Sequence, residues 1–221
     1  MTCKSIILTF FLVSSSLINS IIAQKTTFSE VSDPEAKKVL QELKSVYDHK
    51  EGAYITYNLI LAFGEDIENQ EGEIYQRDEK FHIKNNDNVI VNDGETIWFY
   101  SSKQNEVQIN DVDPDEEGFM SPSSLLNIYN AEDEYFFAIT DKTASAYKIE
   151  FKPRDDDSDI MKARIELQRD PLKMKSLIVF STDGGRYTFE IKSFQKKTLS
   201  PSHFQFDKSK YTGLKIVDLR E

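Results

Sequence analysis

Cysteine is almost missing from this chain: Cys3 is the only one, and it lies inside an N-terminal stretch that reads as an export leader. A chain that sheds this leader has neither a disulfide framework nor a thiol to ligate metal or attack a substrate. Nor is the protein expected to be lipid-anchored, because an acylated precursor needs its cysteine at the cleavage point and Cys3 stands at the other end. Long apolar runs are lacking too. After residue 23 no window approaches the roughly 20 apolar residues of a membrane-spanning helix. Internal repeats and low-complexity linkers are absent, and positive charge is in short supply. Setting aside Lys4 in the leader, 26 basic residues face 38 acidic ones, a formal net charge of −12. Such a surface repels phosphate backbones and anionic headgroups, which excludes nucleic acid and stable docking on an acidic membrane, leaving room only for transient contacts through a local basic patch.

The leader itself is legible. Lys4 supplies a positive start, Ile6 to Val13 an apolar stretch and Ile21-Ile22-Ala23 a small-residue cleavage site, so residues 1–23 are expected to be a signal peptide with Gln24 as the mature start. The remaining 24–221 is long enough to bury a substantial core without covalent staples, and one domain is expected.

Ser32-Asp33-Pro34 is a helix start and Gly52 a stop. Between them Ala36, Val39, Leu40, Leu43, Val46 and Tyr47 recur at three- and four-residue spacing, giving one apolar face that must lie on something greasy. A second, short helix is predicted from Ser121-Pro122 through Leu125, Leu126, Ile128 and Tyr129. Most of the rest has period two. Ile55, Tyr57, Leu59, Leu61 and Phe63 alternate with their neighbours, and the pattern returns at 81–83, 89–91, 97–99, 147–151, 163–167, 177–180 and 187–191. Polar turns such as Asn92-Asp93-Gly94 and Asp183-Gly184-Gly185 separate these runs, and short connections predict a long antiparallel meander. Many strands and few helices leave two architectures: a closed barrel, or a strongly curved open sheet whose concave face the helices cover.

Catalytic chemistry finds no foothold. The acidic run Asp111 to Gly118 misses the calcium-loop pattern, with Glu116 where glycine is required and Pro122 where the closing glutamate belongs. Asp155 to Asp159 reads as a solvated hairpin tip. His49, His82 and His203 are scattered, with no pair at metal-ligand spacing. No nucleophile elbow, phosphate-cradling loop or dinucleotide fingerprint is present. The chain is therefore expected to be no enzyme, with no metal and no cofactor. Its 26 aromatic residues fill either a core or a cavity, and the pattern alone does not separate the two.

One stretch is more specific. Gly72-Glu73-Ile74-Tyr75-Gln76-Arg77-Asp78-Glu79-Lys80-Phe81-His82-Ile83, then Asn92-Asp93-Gly94-Glu95-Thr96-Ile97-Trp98-Phe99-Tyr100, resembles the outer-membrane lipoprotein carrier family, LolA. Asn105 to Ile109, Ser121 to Leu126, Phe204-Gln205-Phe206-Asp207 and Asp218-Leu219-Arg220 follow in that family's order, so the resemblance spans nearly all of residues 24–221. It implies a curved, incompletely closed antiparallel β-barrel, a half-barrel, with a few α-helices forming a lid over an apolar cavity. It further implies a periplasmic chaperone that binds lipoprotein acyl chains there and shuttles them from an inner-membrane ABC exporter to an acceptor at the outer membrane. By the same resemblance Arg77 stands where the family places an arginine that holds the lid shut, although Asp78 and Glu79 replace the proline region beside it and could draw Arg77 into a local surface ion pair. The cavity is expected to be lined by Ile74, Phe81, Ile83, Trp98 and Tyr100 from the sheet and by Leu40 and Leu43 from the first helix. Which strand face is concave is open, since a one-residue slip exchanges Trp98 for Phe99. The alternative is a periplasmic binding module for a free lipid or glycolipid. A carrier that hides its own ligand needs no second subunit, so a monomer is expected.

Overall fold

Pro34 follows Asp33 at the point where the chain turns helical, and α1 runs Pro34–Tyr47. The Asp33 carboxylate accepts the Glu35 amide at 2.8 Å, satisfying one of the donors that a helix start leaves bare. The computed structural model describes residues 31–47, 50–112 and 133–220. Twelve strands follow the helix in one sheet: β1 (Ala53–Phe63), β2 (Asp66–Arg77), β3 (Lys80–Asn85), β4 (Asn88–Asn92), β5 (Thr96–Ser101), β6 (Glu106–Asp111), β7 (Tyr135–Lys142), β8 (Ala146–Pro153), β9 (Ile160–Arg169), β10 (Leu172–Ser181), β11 (Gly185–Lys196) and β12 (Lys215–Asp218).

Their order is β12-β6-β5-β4-β3-β2-β1-β11-β10-β9-β8-β7. Two antiparallel meanders, β1–β6 and β7–β11, are thus joined where β11 returns to pair with β1 over the full length of both strands. The sheet is open and curved, with β12 and β7 as its edges, so of the two architectures left by the strand pattern the closed barrel is set aside. One departure from the meander is the closing strand, which pairs parallel to β6. Among the described residues α1 is the one α-helix; the second helix predicted at 121–130 lies outside them, as do His49 and nearly all of the acidic run from Asp111 to Gly118.

The helix lies against β10 and β7. Ala36, Val39, Leu40, Leu43 and Tyr47 are buried, so the apolar stripe faces the sheet as its spacing predicts. The same segment protects the β7 edge, because the Asp33 amide donates to the Phe137 carbonyl at 2.9 Å and the Asp33 carboxylate accepts the Ile139 amide at 3.3 Å. At the other end of α1, Tyr47 repairs an interruption of the ladder. The β10 register against β9 shifts between Met174 and Ser176, and the Met174 amide donates to the Tyr47 hydroxyl at 3.0 Å. Tyr47→Phe keeps the ring and strands that amide; an unpaired buried donor costs about 1–3 kcal/mol, a loss to be read in the urea midpoint, and an unchanged midpoint would mean that another acceptor takes over.

On the face turned away from α1, strands β8 and β9 carry a small charged cluster. Glu150 accepts Arg164 Nε at 2.9 Å and Lys162 Nζ at 3.3 Å. Burial works to raise the Glu150 carboxyl, but the Arg164 bond and charge, with Lys162 beside them, prevail and hold it below the ordinary glutamate value of 4.5. A carboxyl depressed in the folded state contributes stability that is present above its unfolded value and lost as pH falls through its folded one. Glu150→Gln is therefore expected to flatten the loss of stability below about pH 4.5, measured as urea midpoints from pH 7 to pH 3; parallel curves for native and variant would contradict it.

Candidate functional site

Period two divides the sheet's side chains between two faces, and the register decides which belong together. Ile55 on β1 stands opposite Ile74 on β2, Ile74 opposite Ile83 on β3, Ile83 opposite Ile90 on β4, and Ile90 opposite Phe99 on β5. In the other direction Leu59 pairs with Phe189 on β11, Phe189 with Leu177 on β10, Leu177 with Ile165 on β9 and Ile165 with Ile149 on β8. One apolar face therefore runs across ten strands, from Phe99 to Phe137 on β7. Its β7–β11 end, with β1, Ile74 and α1, forms the main core, where Ile55, Ile149, Phe151, Ile165, Leu167 and Leu177 are fully buried. Coverage thins toward the other end. Leu59 and Ile83 are only partly buried, as is Ile90, and Phe99 is 39% exposed.

The opposite face carries Tyr54, Tyr75, His82, Val91, Trp98 and Ile109 in one cross-strand row. Between β11 and β12 the chain crosses this face as a strap containing two short 3-10 turns, Pro201–Phe204 and Lys208–Lys210. Phe206 and Tyr211 stack on each other with ring centroids 5.1 Å apart, and Tyr211 packs on Tyr100 at 4.2 Å. Together with Leu214 they cover Tyr100, Val107 and Ile109, a second small core to which Trp98 is joined. His82 Nδ1 meets the His203 carbonyl at 3.0 Å beneath the same strap, and burial pushes its imidazole below the ordinary value.

Of the seven residues expected to share a lining, the structure brings together Leu40, Leu43, Ile74 and Ile83 in and against the main core, and the register places Phe81 on the same face of the sheet. Leu40 and Leu43 pack in the main core, Ile74 lies beneath it at 2% exposure, and Phe81, 3% exposed, stands opposite Gln76. Trp98 and Tyr100 lie on the other face. The side chain that joins Ile83 and Ile90 is Phe99, because the register pairs Ile90 with Phe99 and Val91 with Trp98. The overlooked signal is the apolar content of the strap: Phe206, Tyr211 and Leu214 need a surface to cover, and Trp98 and Tyr100 provide it.

Arg77 also faces the strap. Its guanidinium donates to the Leu199 carbonyl and lies 5.4 Å from the Phe204 ring centroid. The partners that hold it belong to the C-terminal strap, neither to α1 nor to Asp78 and Glu79. Among the described residues no three histidine, cysteine or carboxylate side chains are grouped to hold a metal. Asp155 to Asp157 form an exposed turn in which the Asp155 carboxylate accepts the Asp157 amide.

Comparison with known proteins agrees with this architecture. The family model described as outer membrane lipoprotein carrier protein LolA matches residues 62–207, about two thirds of the chain. The match begins at the end of β1 and stops short of β12, so α1 and Asp218-Leu219-Arg220 lie beyond it. No curated protein matches the sequence. Among solved structures, an uncharacterized conserved protein from Thermus thermophilus superposes with a TM-score of 0.53 at 10% identity, over 83% of this chain and 99% of that one. A DUF1329 family protein from Desulfovibrio piger gives a TM-score of 0.48 at 11% identity over 80% and 98% of the two chains. A LolA superfamily protein from Nitrosomonas europaea gives 0.46 at 9% identity over 78% and 98%.

Proposed function

Because the chain belongs to the outer membrane lipoprotein carrier protein LolA family, we propose that it is a periplasmic chaperone that shields lipoprotein acyl chains on the α1 face of its sheet and carries them from the inner to the outer membrane. In this reading residues 1–23 are the signal peptide, 24–221 the carrier domain, and the protein works as a monomer. It receives cargo from an ABC exporter and gives it up to an outer-membrane acceptor. No catalytic step is needed: cargo is transferred by partition between apolar surfaces.

The observation that carries the reading is the uneven cover of one continuous apolar face. Where α1 lies on β7 and β10 the face is a closed core; toward β5 it continues as Leu59, Ile83, Ile90 and Phe99, partly open. Each methylene taken from water there gains about 0.8 kcal/mol, so two or three chains represent on the order of tens of kcal/mol. A surface of branched aliphatic and aromatic side chains can supply that without fixed polar contacts, which suits a ligand that must later be released. Ile83 is part of the proposed lining, with Phe99 in place of Trp98, and Leu40, Leu43, Ile74 and Phe81 back it from the buried interior. Arg77 enters as a latch on the strap through Leu199.

Phe99→Glu tests this reading. The side chain is 39% exposed, so the fold should tolerate a carboxylate that no acyl chain will accept beside it. Protein isolated from its own periplasm is expected to bring down acylated proteins in mass spectra, and the variant to lose them at least tenfold with an unchanged melting midpoint. Free lipid alone would point to the small-lipid binder instead, and equal cargo on native and variant would remove Phe99 from the site.

A further inference from the structure

The face proposed to take acyl chains is not wholly apolar. We propose that Gln76 is its polar anchor, a buried carbonyl that accepts a hydrogen bond from an N–H or O–H donor at the head of a bound acyl chain, and so favours amide-linked chains over ester-linked ones. The inference rests on the lipid-binding reading above and gives it a chemical preference.

Gln76 is 1% exposed, and its Oε1 is the only buried side-chain nitrogen or oxygen without a hydrogen-bond partner among the described residues. Its surroundings explain why. In the register it lies between Ala53 on β1 and Phe81 on β3, with Ile74 two residues along the same strand. These three are 0%, 3% and 2% exposed, and none has a side-chain proton to give. The next polar group on the row, Asn92 opposite Phe81, turns its Oδ1 to the Gly94 amide at 2.7 Å, and its Nδ2 does not donate to Gln76 Oε1. The large majority of buried side-chain polar atoms in folded proteins are hydrogen-bonded, because leaving one unpaired forfeits its hydration for nothing. An apolar side chain at this place would be free of that loss. An unpaired acceptor buried among Ala53, Ile74 and Phe81 is therefore matched to a donor that arrives with an apolar ligand.

That donor limits the ligand class. A fatty acyl ester has no proton at its head group linkage, whereas a chain joined to a peptide through an amide brings one N–H at the junction between alkyl chain and polypeptide. A free lipid with a hydroxyl near its acyl chain brings an O–H to the same place. One net hydrogen bond to a buried acceptor corresponds to about a tenfold preference.

The test uses the full mature chain, native and Gln76→Leu, with N-palmitoylglycine and its ester counterpart O-palmitoylglycolate, which differ only in N–H against O. Native protein is expected to bind the amide about tenfold more tightly than the ester. The variant should bind both alike, and its ligand-free melting midpoint should be equal to or above the native one. Equal binding of both probes by native protein would overturn the anchor and leave the lipid-binding face standing. Binding of neither would overturn both. A variant that melts lower would show the amide to be an internal strut and would also overturn the inference. Should 1-palmitoylglycerol bind native protein better than N-palmitoylglycine and lose that advantage in Gln76→Leu, the donor is a free lipid's hydroxyl; the reverse order assigns it to acylated protein.

Discussion

Phe151→Ala is expected to lower stability by about 3–5 kcal/mol, the cost of truncating a fully buried aromatic in a well-packed core. Phe151 sits on β8 at 0% exposure, opposite Phe137 on the edge strand β7 and Ala163 on β9. Its ring lies 5.8 Å from Phe137 and 6.3 Å edge-on from Tyr135. Small neighbours offer little to refill the space, since Ala163 contributes only a methyl group. The loss should appear in urea denaturation as a lower midpoint with an unchanged slope. A loss under about 1 kcal/mol would mean that the β7–β8 end collapses onto the cavity, and that the core is less closely packed there than the ring geometry indicates.

Leu43→Ala should cost about 2–5 kcal/mol, with a further consequence that Phe151→Ala lacks. The helix has one buried stripe, and Leu43, at 0% exposure, lies near its middle between Leu40 and Tyr47. A fourteen-residue helix is marginal in water without tertiary packing, so weakening the stripe should loosen α1 before the sheet unfolds. Amide exchange in residues 34–47 is expected to quicken in Leu43→Ala while the β8–β10 amides keep their protection. Uniform acceleration across helix and strands would instead make α1 and the sheet one cooperative unit.

How much of this could be read from residues alone follows from which patterns are local. Ser32-Asp33-Pro34 and the spacing from Ala36 to Tyr47 placed α1, because a capping carboxylate and a 3.6-residue period act within one element. Alternation located β1, β3, β4, β5 and β8 through β11 for the same reason. The first half of β2 has no such mark: apart from the exposed Ile67, Asp66 to Glu71 is polar on both faces and mostly exposed, a hairpin arm held by pairing with β1. The four-residue β12 is largely exposed and owes its strand geometry to β6 alone. The return of β11 to β1 is likewise a long-range pairing that no local period announces.

Facing was harder than pairing. Both phases of β5 are apolar, Trp98 and Tyr100 on the side that the strap covers and Phe99 on the other, where the apolar face continues partly open. A strand that is apolar on both faces gives no alternation from which to choose. Gln76 is the opposite case. In the sequence it is one polar residue beside Arg77 in a polar hairpin, and only the register with Ala53 and Phe81 places its amide inside.

The central claim is that one face, and not the other, receives the acyl chain. The most direct measurement is photo-crosslinking of native protein with a palmitoyl probe carrying a diazirine at mid-chain, with adducts mapped by peptide mass spectrometry. The account predicts adducts on Leu59, Ile83, Ile90 and Phe99, suppressed by excess unlabelled acylated peptide. Adducts confined to Ile60, Ala62 or Trp98 on the opposite face, or none that an acyl competitor displaces, would contradict it.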